Sequence, residues 1–153
     1  MPDGLAGIER ELMVLGRHQA AAALRVLAPE RLDRSAYIML CRIEAEGPMS
    51  IGQLAAALGL EVSTVNRQTA AMLRNGLVKR IPDPEGGLAR KLRITNQGLK
   101  RVRAHRAWTL DSLAQILADW PEEATAELAR LLARFNLSIE RVEDRPWPRH
   151  ELV

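Results

Sequence analysis

Residues 50–98 read SIGQLAAALGLEVSTVNRQTAAMLRNGLVKRIPDPEGGLARKLRITNQG, and the spacing of their apolar positions changes along the way. Ile51, Leu54, Ala55 and Leu58 recur at helical spacing. Ser50 stands ahead of them as an N-cap, with Gln53 three residues on, the pattern of a capping box. Gly59-Leu60 makes a tight turn, and a second helix is expected over 61–75, stopped by Asn75-Gly76. After Gly76 the period shortens. Leu77-Val78-Lys79-Arg80-Ile81 and Arg90-Lys91-Leu92-Arg93-Ile94 alternate as strands do, on either side of the turn-rich Pro82-Asp83-Pro84-Glu85-Gly86-Gly87. Two helices joined by a short glycine turn and followed by a β-hairpin make a winged helix-turn-helix.

Working outward, Asp33 is an N-cap for a helix over 34–46, which Gly47-Pro48 ends. A helix over 5–27 precedes it, with Leu5, Ile8, Leu12, Leu15, Ala22 and Val26 near one stripe and Pro29 closing the stretch. Downstream, Thr95-Asn96-Gln97-Gly98 opens a helix to about 118 and Trp120-Pro121 breaks it. Pro121-Glu122-Glu123 starts a last helix over 122–143, ahead of an irregular tail at 144–153. The fold class is therefore mainly α. A winged helix-turn-helix with a β-hairpin wing spans 32–98, and the flanking helices at 5–30 and 99–143 form a dimerisation region. Those helices carry more apolar surface than a winged helix of this size can cover, which is the reason to expect a second copy.

The helix over 61–75 carries the chemistry. Val62, Val65, Thr69, Met72 and Leu73 share a face and are expected in the core. The opposite face presents Ser63, Thr64, Asn66, Arg67, Gln68, Ala71 and Arg74. A merely solvated face carries mixed Glu and Lys. Asn, Gln and Arg instead offer paired donors and acceptors that match base edges in the major groove. Ser and Thr near the helix start suit phosphate oxygens. Charge agrees. Between Glu61 and Arg103 stand ten lysines and arginines against three acids, a net of +7 in a chain whose total is +3. That segment has the electrostatic footprint of phosphate binding.

Other classes find little support. The 153 residues are enough for a core without staples, and the 47% apolar and 27% charged content is that of a folded chain. Aromatics at 3% argue against a stacking platform for single-stranded nucleic acid. Apolar runs such as Ala20 to Leu24 are far short of the roughly 20 residues of a membrane helix, and the first residues lack the pattern of a signal peptide. A cytoplasmic protein that does not engage membranes is expected. Cys41 is the one cysteine, and His18, His105 and His150 lack the spacing of a helical metal site. No nucleophile–base set or phosphate loop stands out, so no enzyme, cofactor or metal is expected.

Several ordered segments resemble the MarR family of bacterial transcription regulators. They are Asp33-Arg34-Ser35-Ala36-Tyr37-Ile38-Met39-Leu40, Gly47-Pro48-Met49-Ser50-Ile51-Gly52-Gln53-Leu54-Ala55, Gly59-Leu60 with Ser63-Thr64-Val65-Asn66-Arg67, Asn75-Gly76-Leu77-Val78-Lys79-Arg80 with Asp83-Pro84, and Leu92-Arg93-Ile94-Thr95-Asn96-Gln97-Gly98. The resemblance implies a homodimeric repressor on a near-palindromic double-stranded DNA site. Ser63, Thr64, Asn66, Arg67 and Gln68 would face DNA, Ser50 would lie near phosphate, and Arg74 would touch the backbone. The family's wing tip carries an Asp-Arg-Arg-like run where this chain has Gly86, Gly87 and Leu88, so Arg90 is the substitute for the wing arginine. The resemblance also implies a small aromatic or lipophilic effector, with His18, Tyr37, His105 and Trp108 as the side chains to line its pocket. Two alternatives stay open: a winged helix used as a protein-interaction module, and a redox sensor acting through Cys41.

Overall fold

The computed structural model describes residues 3–24 and 31–149. The chain forms α1 (Asp3–Leu24), α2 (Arg34–Glu46), α3 (Ile51–Leu58), α4 (Val62–Arg74), β1 (Val78–Ile81), β2 (Lys91–Ile94), α5 (Asn96–Ile116) and α6 (Glu122–Glu143). The expected side-chain positions of Ala22, Val26 and Pro29, and residues 150–153 of the tail, lie outside the described residues.

Local chemistry sets the boundaries. Asp33 caps α2, its carboxylate accepting from Ala36 N at 2.9 Å. At α3 the capping box closes in both directions, Gln53 N donating to Ser50 Oγ and Ser50 N to Gln53 Oε1. Gly59 adopts the left-handed conformation at φ +63°, and Leu60 N reaches back to Ala55 O at 3.0 Å, which ends α3 and turns the chain into α4. Gly76, at φ +69°, serves the end of α4 in the same way, with Leu77 N bonded to Met72 O.

The hairpin pairs Val78 with Ile94, Lys79 with Arg93, Arg80 with Leu92 and Ile81 with Lys91, antiparallel. Met49 adds an isolated bridge to the far side of Leu92, with Met49 N to Leu92 O at 3.1 Å and the reverse bond at 2.7 Å. This stitch from the α2–α3 connection seats the wing on the helices. Nothing in the alternation of residues 77–94 announces it.

Met39, Leu40 and Ile43 of α2, Leu54 of α3, Val65 and Met72 of α4, Leu92 of β2 and Val102 of α5 form the centre of the core. Each fully buried side chain of this kind contributes about 1.5–3 kcal/mol. Thr69 is fully buried among them, and its hydroxyl donates to Val65 O at 2.7 Å. Val62, expected in this core, is 51% exposed, because the first turn of α4 runs beyond the core's edge.

The long helices present a different surface. No described residue of α6 is buried, and Leu131, Leu132, Phe135, Leu137, Ile139 and Val142 are exposed along it. Leu5, Ile8, Leu12 and Leu15 of α1 are exposed as well, as is Trp120 at 48%. The tail is irregular in secondary structure but docked. Asp144 turns it at φ +53°, Arg42 Nη1 donates to Pro146 O at 3.0 Å, and the Arg42 guanidinium lies 5.2 Å from the Trp147 ring centroid. Glu140 accepts from Trp147 N and pairs with Arg149. Arg145 rests on Gly59, where a β-carbon would collide with its guanidinium.

Candidate nucleic-acid interface

Burial of Val65, Thr69 and Met72 turns the other side of α4 outward. Ser63, Asn66, Arg67 and Arg74 are exposed there, and Thr64 is half-buried. No hydrogen bond or ion pair within the described residues engages the side chains of Ser63, Asn66, Arg67 or Arg74, so their donors face solvent. Gln68 behaves differently. It is half-buried and leans toward α2, where its Nε2 donates to Ser35 Oγ at 3.1 Å. Ser50 is half-buried with its oxygen committed to the capping box, which leaves its hydroxyl proton as the donor for a phosphate.

The wing is basic on its outer face. Lys79 and Arg93 stand directly opposite each other, both exposed. Like charges in that register oppose hairpin formation, and an anion laid across them removes the penalty. The tip is built around Asp83, whose carboxylate accepts from Glu85 N at 2.9 Å and pairs with Lys91 at 3.2 Å. These contacts hold its carboxyl below the usual range, the Glu85 N–H foremost. Gly86 sits at φ +83°, and a β-carbon at Gly87 would collide with Asp83 Oδ2. The two glycines are thus what lets the backbone wrap the aspartate. Leu88 is fully exposed at the tip, and Arg90 beyond it is exposed and pairs with no described residue.

The MarR family model matches residues 32–87. An uncharacterized HTH-type transcriptional regulator of Bacillus subtilis, YxaD, is 31% identical over 105 residues, which cover 69% of this chain and 73% of that one. The chain belongs to the MarR family. It is a MarR-family transcriptional regulator, and its fold is shared with solved members. A MarR family protein from Bacillus stearothermophilus superposes with a TM-score of 0.76 at 20% identity, covering 89% of this chain and 95% of that one. The PcaV transcriptional regulator from Streptomyces coelicolor, solved in complex with its natural ligand, gives a TM-score of 0.60 at 24% identity, covering 83% and 92%.

The residues expected at an effector pocket in this MarR regulator come together in part. The Tyr37 and His105 rings stack with centroids 4.0 Å apart, and Trp108 lies 6.3 Å from His105. His105 Nδ1 accepts from Leu32 N at 3.0 Å. Burial, and then the nearby Arg31 charge, push the His105 pKa down. His18 is exposed on α1, and no hydrogen bond or ring contact joins it to the trio. A cavity of about 580 Å³ lies on the other side of Tyr37. Its walls include Ile38, Cys41, Arg106 and Trp147, and not His105 or Trp108. Cys41 is half-buried, and burial pushes its thiol up, away from the thiolate form a redox sensor uses. Sequence reasoning missed Arg42, which is buried, and the tail that covers it; the Pro146-Trp147-Pro148 run was the available signal. Among the described residues no group of acids, histidines and cysteine is arranged to hold a metal, and no helix is long and apolar enough to cross a membrane.

Proposed function

We propose that this MarR regulator is a homodimeric, ligand-responsive repressor that binds a near-palindromic double-stranded DNA site. The outer face of α4 carries the reading: exposed Ser63, Asn66, Arg67 and Arg74, none of whose side chains is engaged by another described residue. Asn66 and Arg67 read base edges, Ser63 and Thr64 meet phosphates near the helix start, and Arg74 holds the backbone. Ser50 adds a phosphate contact from α3, and Arg90 serves in place of the missing wing arginine. Gln68 acts from its hydrogen bond to Ser35 and positions α4 against α2. The exposed apolar faces of α1 and α6 support a dimer, whose two α4 helices would enter successive major grooves about 34 Å apart.

Ligand response has support in the Tyr37 ring of α2 stacked on the His105 ring midway along α5, with Tyr37 also lining the cavity. PcaV, with its bound natural ligand, is a precedent on the same fold. A small aromatic or lipophilic effector bound there would favour dimers whose two α4 helices no longer match the groove spacing. Selection of bound fragments from a random DNA pool, followed by affinity measurements across a salt series, tests the function. The expected result is a two-fold-symmetric site whose affinity falls steeply with salt, with Arg67→Ala relaxing base preference and Arg90→Ala lowering affinity at moderate salt. A partner protein captured in place of DNA, with salt-insensitive affinity, would overturn it in favour of an interaction module.

A further inference from the structure

A cleft of about 700 Å³ lies between the start of α2, the flank of α4 and the first turns of α5. Its floor is apolar, with Leu32, Ala36, Met72 and Leu77 buried in the core. Its rim carries four arginines from three segments of the chain: Arg31 before α2, Arg67 and Arg74 of α4, and Arg101 of α5. Asp33, the one acid among the described residues on its walls, is already occupied as the cap of α2. No carboxylate among the described residues pairs with Arg67, Arg74 or Arg101. Arg101 is the telling member. Its Nη2 makes a long 3.4 Å bond to Arg31 O, and its Nε is buried with no partner.

A buried guanidinium donor without an acceptor is costly, and like charges facing one cleft repel. An oxyanion in the cleft relieves both at once. The Gln68 amide also borders the cleft, and one end of it is buried and unpartnered while the other bonds Ser35 Oγ. Because that hydroxyl both donates and accepts, the amide can turn and offer its N–H to the anion. Guanidiniums converging from different elements favour a tetrahedral phosphate, whose oxygens accept from several directions, over a planar carboxylate suited to one fork.

We propose that this cleft is a phosphate-binding site, with Arg101 its central donor and Arg67 shared between it and the outer face of α4. The phosphate comes from the DNA backbone beside the groove that α4 enters, or from a free phosphate that competes with DNA for Arg67. The first source rests on the DNA-binding reading above; the second does not.

Two arms separate the sources, using the full chain with Arg101→Gln and Arg101→Lys. In the first, affinity for a selected DNA site is measured across a salt series. The expected result is a salt slope reduced by about one in Arg101→Gln, with base preference unchanged and the slope recovered in Arg101→Lys. In the second, inorganic phosphate is titrated against chloride at matched ionic strength. The readouts are melting temperature and tryptophan emission, to which Trp108 contributes with Arg31 4.6 Å from its ring centroid. A phosphate-specific change in the wild type that Arg101→Gln loses, with the DNA slope unaltered, assigns the site to free phosphate. An unchanged slope together with identical phosphate responses in wild type and Arg101→Gln overturns the proposal. Equal melting temperatures of the three proteins in chloride establish that the variants fold. A wild type that binds no DNA refutes the reading of function and leaves the second arm to judge the cleft.

Discussion

His105 joins the two halves of this chemistry within a single residue. Its ring stacks on Tyr37, its Nδ1 accepts from Leu32 N, and Leu32 follows the arginine that borders the cleft. Desolvation, then Arg31, keep the imidazole neutral in the folded chain below its ordinary value of 6.5. A neutral Nδ1 is also what the Leu32 N–H requires, since a protonated one has no lone pair to offer. The unfolded chain therefore binds the proton at higher pH than the folded one. Stability contributed by this site is complete above the ordinary histidine range and declines as pH falls through it toward the depressed value. The melting temperature of the wild type is expected to drop more than that of His105→Gln between pH 7 and about pH 5. Parallel curves for the two proteins would remove His105 from the account.

Among the elements, wing and α5 meet at a close backbone approach. Thr95 caps α5 by accepting from Gly98 N at 3.0 Å, and its hydroxyl donates to Gly76 O at 2.6 Å. Gly98 is buried, and a β-carbon there would drive into the Leu77 carbonyl, which is fixed because it accepts from Thr95 N. Backbone cannot yield as a flexible side chain can. Gly98→Ala is expected to cost about 1–3 kcal/mol, read as a lower melting temperature and denaturant midpoint. Gly4→Ala on α1, where a β-carbon meets nothing, is the control and should lower neither, with at most a slight rise from helix propensity. The tail is a second long-range tie. Glu140, held down to about 2 by Arg149 and the Trp147 N–H, anchors a strap that touches α2 through Arg42 and the α3–α4 turn through Gly59.

For the whole molecule, the governing fact is apolar surface without a partner. A 22-residue α6 that buries no described residue and exposes Leu131, Leu132, Phe135, Ile139 and Val142 is not stable against water by its own packing. On the proposed dimer that face is an interface between two copies. Phe135→Glu should then give monomers by sedimentation. DNA affinity should fall by at least roughly tenfold, because two half-sites are no longer engaged together. A Phe135→Glu protein that remains dimeric with full affinity would refute this assignment of the interface.

Local chemistry was legible in the order of residues alone. Asp33, the Ser50–Gln53 pair, Gly59 and Gly76 end or begin their helices through bonds that span five residues or fewer, and the change from helical to alternating period marks the wing. The outward face of α4 followed from the same arithmetic. Packing decided the rest. Periodicity put Val62 inside, yet α4 begins beyond the core's edge. It put Gln68 on the DNA face, yet Ser35, 33 residues away, draws it inward. The Met49–Leu92 bridge, the Arg42–Pro146 bond and the cleft that gathers Arg31 with Arg101 each join residues far apart in the chain. The sequence by itself determined the helices, turns and hairpin, because their energies depend on neighbours in the chain. Only the tertiary structure decided which charges share a cleft and which apolar faces remain uncovered, because those depend on how whole elements cross and pack.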